Sequence, residues 1–336
     1  MSGLLQRKHD LLRIKAFPRI HITLIGMNKD GYRVNGGIGF SISSPTLNMS
    51  FDPDSSICVF DKRSQGFTTK ELVRLNNHLN NVMHDEHLSE GFLCVIEDGQ
   101  VPSHFGFGSS TMVYLSCIEA LLIINKREYT NDVVVNLSGR GGTSGIGINT
   151  YFNGCFVFDT GIVNQGERQF APSSAFVSEN RIKPLLLKNV KLPQWELGIC
   201  IPSISPKTES DEKAFFHTNC PIEKEAVEKI LYESVYGITS SLLETDFDTF
   251  CKSVDALQQT KWKKMERDIY GKELVHTETL IRHAGARCVG MSSLGPLLYF
   301  FGEGLDGIVK QVNAELLGCR CFKTSFNNSG RILEYD

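Results

Sequence analysis

The sequence predicts an α+β protein. Apolar alternation of period two and apolar spacing of three to four residues both recur along the chain, and they do not alternate as regular βαβ units. With 336 residues and 41 % hydrophobic content, there is enough apolar material for a substantial core.

The elements follow in order. Residues 1–16 hold Arg7, Lys8, Arg13 and Lys15 with no apolar block behind them, and are expected to form a short helix or a tail. Ile20, Ile22 and Leu24 alternate with Arg19, His21 and Thr23, which predicts a strand. The pattern repeats through Ile38, Phe40 and Ile42 and through Leu47, Met49 and Phe51, so the first fifty residues are expected to form an antiparallel meander. A helix is predicted over 68–83 with Thr68 or Thr69 as its cap, a strand around Phe92–Ile96, an apolar helix over 110–126 and a strand at Cys155–Phe158. Residues 163–185 lack periodicity and suggest a long loop or a domain boundary. A strand through Trp195, Leu197, Ile199 and Ile201 leads into a polar loop at 203–213. Helices are predicted through Ala226–Ile238 and Phe247–Leu257, and two strands near 287–291 and 297–301 flank the turn SSLGP. A last helix carries Leu305, Ile308, Val312 and Leu316.

Charge and cysteines exclude several classes. Lys and Arg number 35 against 38 Asp and Glu, so no basic field invites nucleic acid or an acidic membrane. No apolar run approaches the roughly 20 residues of a bilayer span. No export signal is visible, which makes the cytoplasm the expected compartment. The ten cysteines include no C-x-x-C pair, so structural zinc is not expected and buried reduced thiols are.

Three glycine–serine clusters carry the chemistry. In the first, His104 to Thr111 (HFGFGSST), Gly106 and Gly108 permit close backbone approach, and Ser109, Ser110 and Thr111 open an apolar helix. A helix N-terminus there offers N–H groups and the positive dipole end to an anion. In the second, Gly139 to Gly147 (GRGGTSGIG), five glycines surround Arg140, Thr143 and Ser144. Arg140 suits a bidentate phosphate contact, and the amides around Gly141, Gly142 and Gly145 suit an anion nest. The third, Gly290 to Pro296, reads alone as a hairpin turn and brings Ser292 and Ser293. The P-loop and dinucleotide motifs are absent.

These motifs resemble the GHMP kinase superfamily, and more closely its β-ribofuranosylaminobenzene 5′-phosphate synthase branch. The likeness runs through RIHITLIGMN, RVNGGIGF, the first cluster, the GRGGTSGIG block letter for letter, FDTG at Phe158–Gly161, Pro193–Ile201 and the closing turn. It implies an N-terminal α+β domain with glycine-rich anion loops and a C-terminal ferredoxin-like domain, divided here as 17–172 and 173–336 after a tail at 1–16. It implies a decarboxylating C-transfer. The anomeric carbon of 5-phosphoribosyl diphosphate joins the carboxylate-bearing ring carbon of 4-aminobenzoate or a related aromatic acid, with Mg²⁺, and CO₂ and diphosphate leave. A homodimer is also implied. On this reading His104, Gly106, Gly108, Ser109, Ser110 and Thr111, with Arg140 to Gly145, hold the sugar diphosphate. Arg19, Arg33, Ser292 and Ser293 are further phosphate or acceptor contacts, and His21, Asp159 and Lys188 are the catalytic candidates. For His21 and His104 a core role is an equal alternative; Asp159 binds Mg²⁺ or the ring amine or caps a turn. The Mg²⁺ ligands are not identified.

Gly26, Asn35, Lys188, Met291 and Leu294 depart from the family pattern, so another carboxylated aromatic or heteroaromatic acceptor stays open. Two other readings compete. An ATP-dependent GHMP kinase of a small alcohol would share the first cluster and use Glu119 as a metal ligand; a non-catalytic relative would bind the sugar diphosphate without turnover. Replacing Arg140 by Ala is expected to weaken sugar-diphosphate binding by about 1.5–3 kcal/mol, measured by titration calorimetry. Unchanged affinity would mean that the anion site lies elsewhere.

Overall fold

The alternating segments are strands, but they do not form one meander. The computed structural model describes residues 11–142, 144–164, 166, 170–172 and 183–335. β1 (Leu12–Ala16) occupies the end of the segment expected as helix or tail, because Leu12, Ile14 and Ala16 alternate inward. β2 (Arg19–Gly26) pairs antiparallel with β3 (Arg33–Ser41). β4 (Leu47–Asp54) then turns away from β3 and pairs with β1 instead. A period-two pattern fixes which face of a strand is buried; it does not name the neighbour.

Two sheets result. One runs β14-β1-β4-β6-β5, with β5 (Ile57–Asp61), β6 (Gly91–Ile96) and β14 (Ile332–Tyr335). The other runs β2-β3-β7-β9, with β7 (Phe156–Asp159) and β9 (Leu186–Val190), and the short β8 (Ile162–Val163) beside β3. β9 and β14 lie beyond residue 173, so both sheets of the first half are completed by chain from the second half. Most of the 163–185 segment lies outside the described residues.

The third sheet is antiparallel in the order β11-β12-β10-β13, from β10 (Glu196–Ile201), β11 (Cys288–Met291), β12 (Leu298–Phe301) and β13 (Arg320–Ser325). Helices intervene between β10 and β11 and between β12 and β13, which is the βαββαβ pattern of a ferredoxin-like unit. Trp195 packs in its core against Phe247, Phe250 and Phe326.

The helices explain the layers. α1 (Thr69–Asp85) starts at Thr68, whose side chain and Glu71 form a capping box. α2 (Ser109–Ile124) is apolar on nearly every face and correspondingly buried. α3 (Asn131–Ser138) and α4 (Ile146–Asn153) bracket the second glycine cluster. α5 (Glu209–Asn219) begins inside the stretch expected as a polar loop; Thr208 and Asp211 form a second capping box, and Phe215 and Phe216 anchor the helix. The helix expected through Ala226–Ile238 is α6 (Lys224–Tyr232), a π-helical segment (Glu233–Thr239) and α7 (Ser240–Glu244). α8 (Phe247–Gln258), α9 (Lys261–Asp268), α10 (Gly271–His283) and α11 (Leu305–Glu315) complete the set. No helix among the described residues is long and apolar enough to cross a membrane, and the ten cysteines are free thiols.

One buried charge holds the last segment to α2. Glu119 is fully buried, yet it accepts hydrogen bonds from Tyr129, Tyr151 and the Arg331 guanidinium just before β14. The Arg331→Leu variant leaves this carboxylate without its cation. It is expected to cost about 3–5 kcal/mol of stability in urea unfolding, since breaking a buried pair strands the partner charge.

Candidate active site

The three glycine clusters converge on one cleft. Arg19 at the start of β2 is stitched to the first loop: its backbone N–H donates to the Phe107 carbonyl (3.1 Å) and its Nη1 to the Gly106 carbonyl (2.5 Å). A Cβ on Gly108 would sit 3.0 Å from the Arg19 Nε, so glycine lets the guanidinium lie over the loop. The closing turn seals the other side. Ser292 Oγ donates to the Gly106 carbonyl (2.8 Å), and the Ser293 N–H donates to the His21 carbonyl (3.0 Å).

The second cluster reaches the same place. Arg140 Nη2 lies 3.4 Å from Thr111 Oγ1, and its guanidinium sits 5.2 Å over the Tyr114 ring. Gly147 at the start of α4 lies against the Thr111 side chain, which a Cβ would approach at 3.2 Å. Thr143 lies outside the described residues. Gly108 caps α2 without a side-chain hydrogen bond, and among the described residues nothing accepts from the Ser109 and Ser110 N–H groups. Two free amides, the dipole end of a buried helix and two arginines therefore face one space. Burial lowers the Arg19 pKa to about 10 and also lowers that of Arg140; at 10, Arg19 stays charged at neutral pH.

The floor holds His21 and Asp159. Asp159 is fully buried, and its carboxylate accepts from the Gly145 N–H (3.0 Å), the Gly161 N–H (2.9 Å) and Ser144 Oγ (3.3 Å). Desolvation nevertheless raises its pKa to about 7. Ser144 Oγ stands 3.4 Å from His21 Nε2. Burial, then Arg19 and Lys263, push the His21 pKa well down, so its ring is neutral. Asp159 thus positions Ser144 and the second loop from below, whereas His21 and Ser144 line the cleft.

The opposite wall was not visible in the sequence. α1 supplies Glu71 and Arg74; α5 supplies Glu209, Glu212 and Phe216; Phe67 and Leu294 add apolar surface. Glu71 Oε1 meets His104 Nε2 at 2.7 Å, and Glu209 meets Arg74 at 2.7 Å. The Glu212 carboxyl has no hydrogen-bond partner among the described residues. Burial pushes its carboxyl up to about 7 against the pull of His104, Arg19 and Arg140. The two capping boxes, T-x-x-E at Thr68 and T-x-x-D at Thr208, were the available signals for these helices.

Other candidates fall elsewhere. Arg33 donates to the Thr160 and Gly161 carbonyls and fastens the turn after β7. Lys188 is exposed on β9, outside the cleft. Of the five departures from the family pattern, only Leu294 lines the cleft. Among the described residues no group of three His, Cys, Asp or Glu is gathered to hold a metal ion, and Glu71 and Glu209 are already ion-paired. The described residues thus present no preformed Mg²⁺ cage.

Comparison with known proteins fits this geometry. No family model matches the sequence. Three curated proteins named β-ribofuranosylphenol 5′-phosphate synthase do. The Methanothermobacter thermautotrophicus protein is 27 % identical over 323 residues, 94 % of this chain and 96 % of its own. The Archaeoglobus fulgidus protein is 28 % identical over 333 residues, 96 % and 100 %. The Methanocaldococcus jannaschii protein is 29 % identical over 297 residues, 85 % and 88 %. The chain is similar to these synthases along most of its length, and its fold is that of the GHMP kinases. Solved structures agree on the fold: a putative sugar kinase from Campylobacter jejuni (TM-score 0.70, 14 % identity, both chains covered fully) and L. major mevalonate kinase with R-mevalonate (TM-score 0.66, 14 % identity, covering 98 % and 100 %).

The His104–Glu71 pair gives a pH window. Glu71, chiefly through its hydrogen bond to His104, is held down to about 2 despite burial; His104 is raised above its ordinary 6.5 by the same bond. The Glu71 contribution is present above its unfolded value of 4.5 and is lost as pH falls toward 2. The His104 contribution is full below 6.5 and is lost as pH rises through the raised imidazole value. A double-mutant cycle with Glu71→Gln and His104→Asn, followed by chemical unfolding, is expected to show coupling greatest near pH 5–6. The coupling is then expected to fade at alkaline pH; coupling constant through pH 9 would contradict this.

Proposed function

We propose that the protein is a decarboxylating phosphoribosyl C-transferase. It joins 5-phosphoribosyl diphosphate to an aromatic carboxylic acid and releases CO₂ and diphosphate. The observation that carries this reading is the convergence of both glycine loops, the open N-terminus of α2, Arg19 and Arg140 on one cleft. The names of the relatives give the product class: a ring phenol bearing a 5′-phosphorylated ribofuranosyl group. The favoured acceptor is therefore 4-hydroxybenzoate, the phenolic counterpart of the 4-aminobenzoate that the sequence motifs suggest.

The residues suit this chemistry. As the C1′–O bond breaks, negative charge grows on the departing diphosphate. The Ser109 and Ser110 amides and the two guanidiniums stand ready to stabilise that charge without rearranging. The electron-rich ring carbon attacks the anomeric carbon, and loss of CO₂ restores aromaticity, so no base has to strip a ring proton. Ser144 and neutral His21 offer hydrogen bonds at the floor. Mg²⁺ belongs to the proposal as an ion that arrives with the diphosphate, where it neutralises charge.

The kinase reading loses its metal ligand. Glu119 is enclosed by Tyr129, Tyr151 and Arg331 and does not line the cleft.

The test is direct. Purified protein with 5-phosphoribosyl diphosphate, Mg²⁺ and 4-hydroxybenzoate or 4-aminobenzoate should release one CO₂ and one diphosphate per C-glycoside, read by mass spectrometry. No product across a panel of aromatic acids, with ATP-dependent phosphorylation of an alcohol instead, would select the kinase.

A further inference from the structure

The wall facing the glycine loops carries a carboxyl that no group among the described residues engages. Glu209, Glu212 and Phe216 stand three and four residues apart on α5 and present one helical face to the cleft. The other cleft carboxyls are occupied: Glu71 by His104, Glu209 by Arg74 and Lys213, Glu266 by Lys263 and Trp262. The Glu212 carboxyl has no ion pair or hydrogen bond among the described residues. The charges around it are His104, Arg19, Glu209 and Arg140. A diphosphate belongs on the arginines and the α2 amides and is repelled by this carboxylate. An aromatic acid that turns its hydroxyl rather than its carboxylate toward Glu212 meets no such repulsion, and Phe216, Phe67 and Leu294 offer its ring apolar surface.

We propose that Glu212 is the base that takes the hydroxyl proton of a phenolic acceptor, so that the ring attacks as its phenolate. The inference rests on the C-transferase reading above and assigns the residue that activates the nucleophile. The Glu212 carboxylate accepts the O–H proton, and the oxygen electrons raise the nucleophilicity of the para carbon, which bears the carboxylate. That carbon bonds to the anomeric carbon while the C1′–O bond breaks and its electron pair leaves with diphosphate. The adduct is a ring dienone. Its bond to the carboxylate then breaks, CO₂ departs, and the electron pair restores an aromatic phenolate, which takes the proton back from Glu212. Burial that strengthens the proton affinity of this carboxyl narrows its gap to the phenol and favours the transfer.

The near-isosteric Glu212→Gln variant tests this with 4-hydroxybenzoate and its 3-fluoro and 3,5-difluoro analogues, whose hydroxyls are progressively more acidic. The expected result is a fall in kcat of about 10²–10⁴-fold for the parent acceptor. The loss should shrink along the fluorinated series, while calorimetric affinity for 5-phosphoribosyl diphosphate does not weaken. The ultraviolet spectrum of the bound 3,5-difluoro acceptor, whose hydroxyl is the most acidic of the series, should show a larger phenolate fraction with the unmodified protein than with the variant at the same pH. An unchanged kcat, a loss uniform across the series, or recovery at raised Mg²⁺, which would make Glu212 a metal ligand, each overturns the assignment. The spectral reading needs no turnover. An unmodified protein that forms no C-glycoside thus refutes the C-transferase reading, and a phenolate spectrum insensitive to Glu212 refutes this one.

Discussion

The cleft exists because chain segments meet at glycines, where no Cβ keeps them apart. A Cβ on Gly295 would sit 2.2 Å from the Phe105 carbonyl carbon, and one on Gly106 would sit 2.6 Å from the Ser292 carbonyl oxygen. Neither obstacle is a flexible side-chain end; both are backbone. The closing turn of the ferredoxin-like sheet is thereby pressed directly onto the first anion loop. Gly106 also takes φ +106, a conformation that side-chain-bearing residues avoid. Gly147 makes a gentler approach on the other side, where the Thr111 side chain is its neighbour. The anion loop is thus clasped between two distant parts of the chain, and its free amides are fixed before any ligand arrives.

This clasp gives the cleft two unlike walls. The loop wall carries positive charge from Arg19, Arg140 and the start of α2. The helical wall carries Glu71, Glu209 and Glu212 with aromatic surface between them. Two of those carboxylates are spent on His104 and Arg74, so they orient cations and add little net charge. Such a division suits two substrates of opposite demand: a polyanion that needs many donors, and a planar acid that needs apolar contact and one polar anchor. In the proposed reaction it also separates the diphosphate from the carboxyl that would repel it.

The sequence made the loop wall legible and hid the helical one. Five glycines in nine residues around Arg140 have no ordinary structural use, so their composition alone marks the second cluster. The apolar run after Ser109 likewise announces a buried helix with its N-terminus at the cluster. α5 is harder to see, because E-S-D-E-K reads as solvent-facing loop until Thr208 and Asp211 are recognised as a capping box. The strand partners were also hidden. β1 joins β4 across the β2–β3 hairpin and joins the C-terminal β14 across most of the chain, pairings that leave no local trace. Lys188 was drawn toward the site by likeness of motif; its strand is an outer neighbour of β7 and points the side chain to solvent.

A fold shared with kinases need not keep kinase chemistry. Phosphoryl transfer asks for metal ions across the phosphates and a group that orients the attacking hydroxyl. Here the acidic residue on the helix after the loop, Glu119, is locked to Arg331 and two tyrosines, holding the C-terminal segment in place. In the proposed reaction the glycine loops serve as an anion cradle for the leaving group, and such a cradle is indifferent to whether the bond broken lies at phosphorus or at the sugar carbon. Moving the reaction to the anomeric carbon shifts the burden. The electrophile becomes a cationic sugar, stabilised by its own ring oxygen, and the nucleophile must be made electron-rich. On this fold the place for that task is the wall that faces the glycine loops, because the loops themselves are committed to the anion.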